Sequence, residues 1–141
     1  MNFSRKILFL LAGWSLCAVA AARSPVIVDT YPPAKGGKAP QYTVDAETRR
    51  LDRRQLGMAL AAVGKDKNRG VNTPVAVLID PALSLTDINA VSRVVRQSGM
   101  KHVRYFVYQG DRSMVSEFVP SNPDSAFPRS RLESEMMAAP K

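Results

Sequence analysis

The sequence predicts an α+β fold: a small two-layer sandwich whose mixed sheet carries two helices on one face and contains a βαβ unit. Three observations lead there. Val75-Ala76-Val77-Leu78-Ile79 is a short apolar run between Pro74 and Asp80, which reads as a strand covered on both faces. Two neighbouring segments repeat apolar residues at helical spacing. His102–Tyr108 is rich in β-branched and aromatic residues: Val103, Tyr105 and Val107 share one side, and His102, Arg104, Phe106 and Tyr108 the other.

At 141 residues the chain holds one domain and excludes a large multi-substrate enzyme. Its first segment, Met1–Ala22, reads as a signal peptide or an N-terminal membrane anchor. Arg5 and Lys6 precede Ile7–Ala22, which is uncharged and ends in small residues suited to a signal peptidase. A spanning helix needs about 20 apolar residues, so this shorter run favours cleavage. Either outcome places the remainder outside the cytoplasm, in the periplasm or secreted. Cys17, the single cysteine, leaves with a cleaved signal, and the residues before it do not match a lipid-attachment site. With one Cys and one His, neither a disulfide framework nor a Cys/His zinc site can be assembled, and no cofactor is expected. The net charge is +8, falling to +6 without the signal, which favours acidic surfaces as neighbours.

Residues 23–40 contain Val26-Ile27-Val28, then Pro32-Pro33 and Gly36-Gly37, and read as a linker. The folded unit is expected over 41–119. Gln41–Val44 forms a short strand. Asp52-Arg53-Arg54-Gln55 matches a capping box, and Leu56, Ala59, Leu60 and Val63 give the helix it opens one apolar stripe that stops at Gly64. Lys65–Thr73 is a polar loop. After the Val75 strand, Thr86 caps a second helix to Ser98, with Leu85 stapled against Ala90. Ile88, Val91, Val94 and Val95 form its stripe, and Gly99 closes it. Val75–Tyr108 then makes a right-handed βαβ unit. Gly110-Asp111 turns the chain so that Met114–Val119 can return as a hairpin partner. Residues 120–141, rich in Pro, Ser and charge, read as a disordered tail.

The order of these residues resembles the periplasmic domain of the ExbD/TolR family. The resemblance rests on Pro74–Asp80, the helix with Val91, Val94 and Val95, Ser98-Gly99-Met100, and the strand to Tyr108. Upstream, Val26–Ala34 is similar to the family's segment after its membrane helix. It covers about Pro25–Gly110. It implies a non-catalytic exported binding module that contacts an envelope protein of TonB/Tol-type machinery, or peptidoglycan, and that can form a homodimer. One departure matters: the family's intramembrane Asp is missing, because Ile7–Ala22 holds no acidic residue. Proton coupling is therefore not expected of this chain. An uncleaved first segment would make it a membrane-anchored accessory subunit of such a system.

The candidate contacts are Arg49, Arg50, Arg53 and Arg54, whose guanidinium forks suit carboxylates and phosphates, and Phe106 with Tyr108 on a sheet face or edge. Nucleic acid is disfavoured, since no helix-turn-helix or aromatic-rich basic strand accompanies the charge. The competing class is a small secreted enzyme or enzyme inhibitor built on Asp80 and His102. Asp80-Pro81 reads rather as a turn into the next helix and His102 as a surface imidazole, since neither has a nucleophile or metal-ligand partner at a readable spacing.

Overall fold

The computed structural model describes residues 23–120 and residue 137. Met1–Ala22 and nearly all of the tail beyond Pro120 lie outside the described residues. Five strands and two helices run in the order β1 (Val26–Tyr31), β2 (Gln41–Val44), α1 (Arg53–Lys65), β3 (Val75–Ile79), α2 (Leu85–Gln97), β4 (Val103–Gln109) and β5 (Met114–Phe118). The sheet order is β2-β1-β3-β4-β5. β1, β3 and β4 are parallel, and β2 and β5 join antiparallel at the two sides. The expected α+β sandwich with its mixed sheet is therefore present, and β3, α2 and β4 form the βαβ unit.

Alternation decides which face is core. Val26, Val28 and Thr30 of β1, Val75, Val77 and Ile79 of β3, and Tyr105 of β4 are buried with Leu56 and Leu60 of α1 and Val91 and Val95 of α2. A fully buried Leu or Val contributes about 1.5–3 kcal/mol, so this single cluster carries the fold. On the opposite side of the same strands, Ile27, Asp29, Tyr31, Ala76, Leu78, Phe106 and Tyr108 are half-buried. β3 is thus not covered on both faces; only Val75, Val77 and Ile79 are fully enclosed, and Ala76 and Leu78 meet an open sheet face.

Three local expectations need correction. The folded unit begins at Val26 rather than Gln41. β1 lies second in the sheet, parallel to β3 and antiparallel to β2, and only the Pro- and Gly-rich part after Tyr31 connects elements. Gly64 does not end α1. It lies within the helix, where an added Cβ would come within 3.3 Å of Val71 Cγ1, so it serves close packing and the helix runs to Lys65. Ser84, not Thr86, caps α2: its hydroxyl accepts from the Asp87 amide at 3.1 Å, which places Thr86 inside the first turn. Leu85 is consequently 71 % exposed and staples nothing.

Other local signals behave as read. The Asp52 carboxylate accepts from the Gln55 amide at 2.8 Å while the Gln55 side chain accepts from the Asp52 amide at 2.9 Å, a complete capping box. Gly99 follows α2 at φ +81°, a conformation that costs a side chain and suits glycine.

Candidate functional site

The two sides of the sheet end differently. Beyond β2 the chain doubles back, and Leu51 pairs with Tyr42 through two main-chain bonds of 2.9 and 2.8 Å. That edge is therefore partly satisfied, and Tyr42 and Leu51 are both buried. β5 has one neighbour, β4, and among the described residues nothing pairs with its outer edge. Met114, Val115, Ser116 and Glu117 are all exposed, Met114 at 68 %. One charged pair guards its face: Arg104 Nε and Nη2 each donate to the Glu117 carboxylate at 2.6 Å across the β4–β5 pairing. This pair holds the Glu117 carboxyl below its ordinary range and the Arg104 guanidinium above its own. A strand edge of this kind presents unpaired amides and carbonyls to any extended segment that reaches it.

A second cluster lies on the open face at the carboxyl ends of β1, β3 and β4. Adjacent strands are about 4.8 Å apart, so β1 and β4 are separated by about 10 Å with β3 between them. Tyr108 bridges that gap: its hydroxyl donates to Asp29 Oδ1 at 2.5 Å. Asp80 follows β3 and is fixed by its own backbone. Its amide donates to the buried Thr30 hydroxyl at 2.9 Å, and its Oδ1 accepts from the Ala82 amide at 2.9 Å. Arg112, in the β4–β5 turn, reaches back over the Tyr108 ring, with its Cζ 4.2 Å from the centroid. Its two terminal nitrogens stand 3.5 Å from Asp29 Oδ1 and 3.5 Å from Asp80 Oδ2. Tyr31 completes the group, with Arg50 Cζ 3.2 Å and Arg112 Cζ 5.2 Å from its ring centroid. Burial pushes the Tyr108 phenol up, the hydrogen bond to Asp29 adds to this, and Arg112 pulls the other way. Burial opposes the charge on Arg112, but Tyr108, Asp80 and Asp29 outweigh it and leave the guanidinium above its ordinary value.

The four arginines singled out in the sequence are not one patch. Arg50 stacks on Tyr31 at the open sheet face. Arg53 and Arg54 border a groove of about 520 Å³ between the helices, lined by Gly57, Met58, Ala61 and Val94. Arg49 borders another recess with Glu47, Gln55 and Arg69. Their separation follows from local structure: Arg49 and Arg50 precede the single bridge of Leu51 to Tyr42, whereas the capping box at Asp52 puts Arg53 and Arg54 in the first turn of α1. Phe106 and Tyr108 do share the open face. Phe106 lies beside the Arg104 guanidinium, 5.2 Å from centroid to Cζ.

Asp80 and His102 stand at opposite ends of the sheet. Asp80 follows β3, His102 precedes β4, and the register pairs Val75 with Val103 and Ile79 with Val107. At about 3.3 Å per residue their backbones are separated by nearly a strand length, so the two cannot converge on one reacting atom. The Asp80 turn reading holds, with the Leu83 amide donating to the Asp80 carbonyl at 3.0 Å. Among the described residues no group of three or more His, Cys, Asp or Glu side chains could hold a metal ion, and no helix is long and apolar enough to cross a membrane.

Asp29, Tyr31 and Arg112 escape a reading of the sequence alone. Asp29 and Tyr31 fall in a stretch read as linker, and Arg112 in a turn. The one available signal was the alternation in Val26-Ile27-Val28-Asp29-Thr30-Tyr31, which places Ile27, Asp29 and Tyr31 on a common side. No protein-family model and no curated protein matches this chain.

Proposed function

We propose that the protein is a non-catalytic, exported binding module that takes up an extended segment of an envelope protein as a sixth strand beside β5. The observation that carries this reading is the asymmetry of the sheet: one edge is covered by its own chain at Leu51, and the other is bare over five residues among those described. Main-chain pairing supplies affinity in such additions, and the alternate side chains supply selection. Here Val115 and Glu117 would meet the partner on the open face, in line with Tyr108 and Phe106. Met114, Ser116 and Phe118 would meet it on the helix face. The resemblance to ExbD/TolR periplasmic domains, together with the signal-like Met1–Ala22, makes a protein of TonB- or Tol-type machinery in the periplasm the expected partner. The dispersed arginines give no comparable support to peptidoglycan.

The test is site-specific photo-crosslinking in intact cells, with the reactive group at Val115 on the bare edge or at Gln41 on the covered one. The expected result is one envelope protein captured from Val115 and not from Gln41. Equal capture from both positions, or none from Val115, refutes the reading. An adduct of twice the chain mass from Val115 identifies a second copy as the occupant and overturns the envelope-protein assignment.

A further inference from the structure

The cluster at the carboxyl ends of β1, β3 and β4 has the composition of a cation receptor with a cation already in it. We propose that Asp29, Asp80, Tyr31 and Tyr108 form a guanidinium site, filled in cis by Arg112 and open to exchange with an arginine side chain of a second protein. This inference does not depend on strand addition at β5.

Three features separate the receptor from its occupant. The receptor is built on the sheet: Asp80 is anchored through its amide to Thr30 and through its carboxylate to Ala82, and Asp29 is held by the Tyr108 hydroxyl. The Asp80 anchors do not involve Arg112, whereas Tyr108, which holds Asp29, also contacts the Arg112 guanidinium. The two carboxylates are 21 % and 14 % exposed, with aromatic rings beside them, which is the setting that favours a weakly hydrated planar cation. The occupant is held less firmly. Arg112 is 38 % exposed, and its two contacts with the carboxylates, both 3.5 Å, are long beside the 2.6 Å bonds between Arg104 and Glu117. It also sits in the hairpin turn at φ +70°, a left-handed conformation that disfavours every residue with a Cβ. Withdrawal of Arg112 removes the guanidinium that faces both carboxylates while Arg50 stays on the Tyr31 ring, and a guanidinium from a second protein can take the vacated place. A bound arginine would also free the residues 110–113 turn from β1 and β3.

The test uses Arg112→Gly in the full chain, since glycine accepts the positive φ while the guanidinium and its stem are removed. The probe is methylguanidinium chloride, followed by NMR of the backbone amides against matched sodium chloride. The variant is expected to show saturable shifts at Asp29, Asp80 and Ala82 in the millimolar range. The native chain, whose own Arg112 competes, requires at least about tenfold more probe. Adding Asp29→Asn and Asp80→Asn to the variant should abolish the response. No saturable shift in Arg112→Gly, or an equal response in the native chain or the triple variant, overturns the proposal. If Arg112→Gly is unfolded, recovery of its circular dichroism by methylguanidinium and not by sodium chloride supports the site, and absence of recovery overturns it.

Discussion

Replacing Thr30 with valine keeps the shape of the side chain and removes one hydroxyl. Thr30 is fully buried. Its Oγ1 donates to the Leu78 carbonyl at 2.9 Å and accepts from the Asp80 amide at 2.9 Å, so the side chain extends the β1–β3 ladder past its last main-chain pair, Asp29 with Leu78. Each lost bond is worth about 1 kcal/mol, and an amide or carbonyl left buried without a partner costs about 1–3 kcal/mol. The methyl gained returns about 0.8 kcal/mol. The net expectation is a loss of about 2–3 kcal/mol, or a drop in Tm of about 8–24 °C for a domain of this size. Urea unfolding followed by circular dichroism measures it, with an unchanged m-value showing that the unfolded state is unaffected.

Thr73 provides the matched control. It is equally buried, yet its Oγ1 has no partner among the described residues. Thr73→Val should therefore be neutral or stabilising by up to about 1 kcal/mol. Thr30→Ser, which retains the hydroxyl and loses a methyl, should cost about 1 kcal/mol. The predicted order of stability is Thr73→Val at or above the native chain, then Thr30→Ser, then Thr30→Val. Native-like stability in Thr30→Val, or a smaller loss than in Thr30→Ser, would refute the claim that this hydroxyl supports the Asp80 end of the site.

Leu60→Ala should lose about 2–5 kcal/mol in the same assay, because Leu60 is fully enclosed between α1 and the sheet; a loss under 1 kcal/mol would mean that the helix is not packed as described. Asp52→Ala should cost about 0.5–2 kcal/mol by removing the cap of α1, and Asp52→Ser should restore most of it. On the alkaline side, Tyr42, Tyr105 and Tyr108 all hold their phenol protons more tightly than usual, chiefly through burial. Their contribution is complete below the unfolded value of about 10 and is lost as pH rises through their higher folded values. The urea midpoint should accordingly hold from pH 8 to about 9.5 and fall above 10. Phenolate absorbance from these three side chains at ordinary pH, before unfolding, would contradict this.

The local code of this chain is easy to read where one short segment decides the outcome. The Asp52–Gln55 capping box needs four residues and no other part of the molecule. The stripe Ile88, Val91, Val94 and Val95 needs one helix, and Gly99 needs only its own φ. The alternation of Val103, Tyr105 and Val107 against Arg104, Phe106 and Tyr108 assigns their faces before any sheet exists. Where two local signals compete, reading becomes less secure. Ser84 and Thr86 both suit an N-cap, and the tertiary setting selected Ser84 by leaving Leu85 in solvent.

What the sequence by itself determined about this protein is its set of elements: two capped amphipathic helices, the Val75 strand and the Val103 hairpin, all set by spacings under a dozen residues. Only the tertiary structure decided that Val26–Tyr31 is an interior strand, because its burial comes from β2 and β3, which lie outside that segment. It alone placed Arg112 beside Asp29 and Asp80, over separations no local period encodes, and set Arg50 apart from Arg53. Strand order, unlike strand existence, is fixed by which faces can be buried together, and that choice is made by the whole sheet at once.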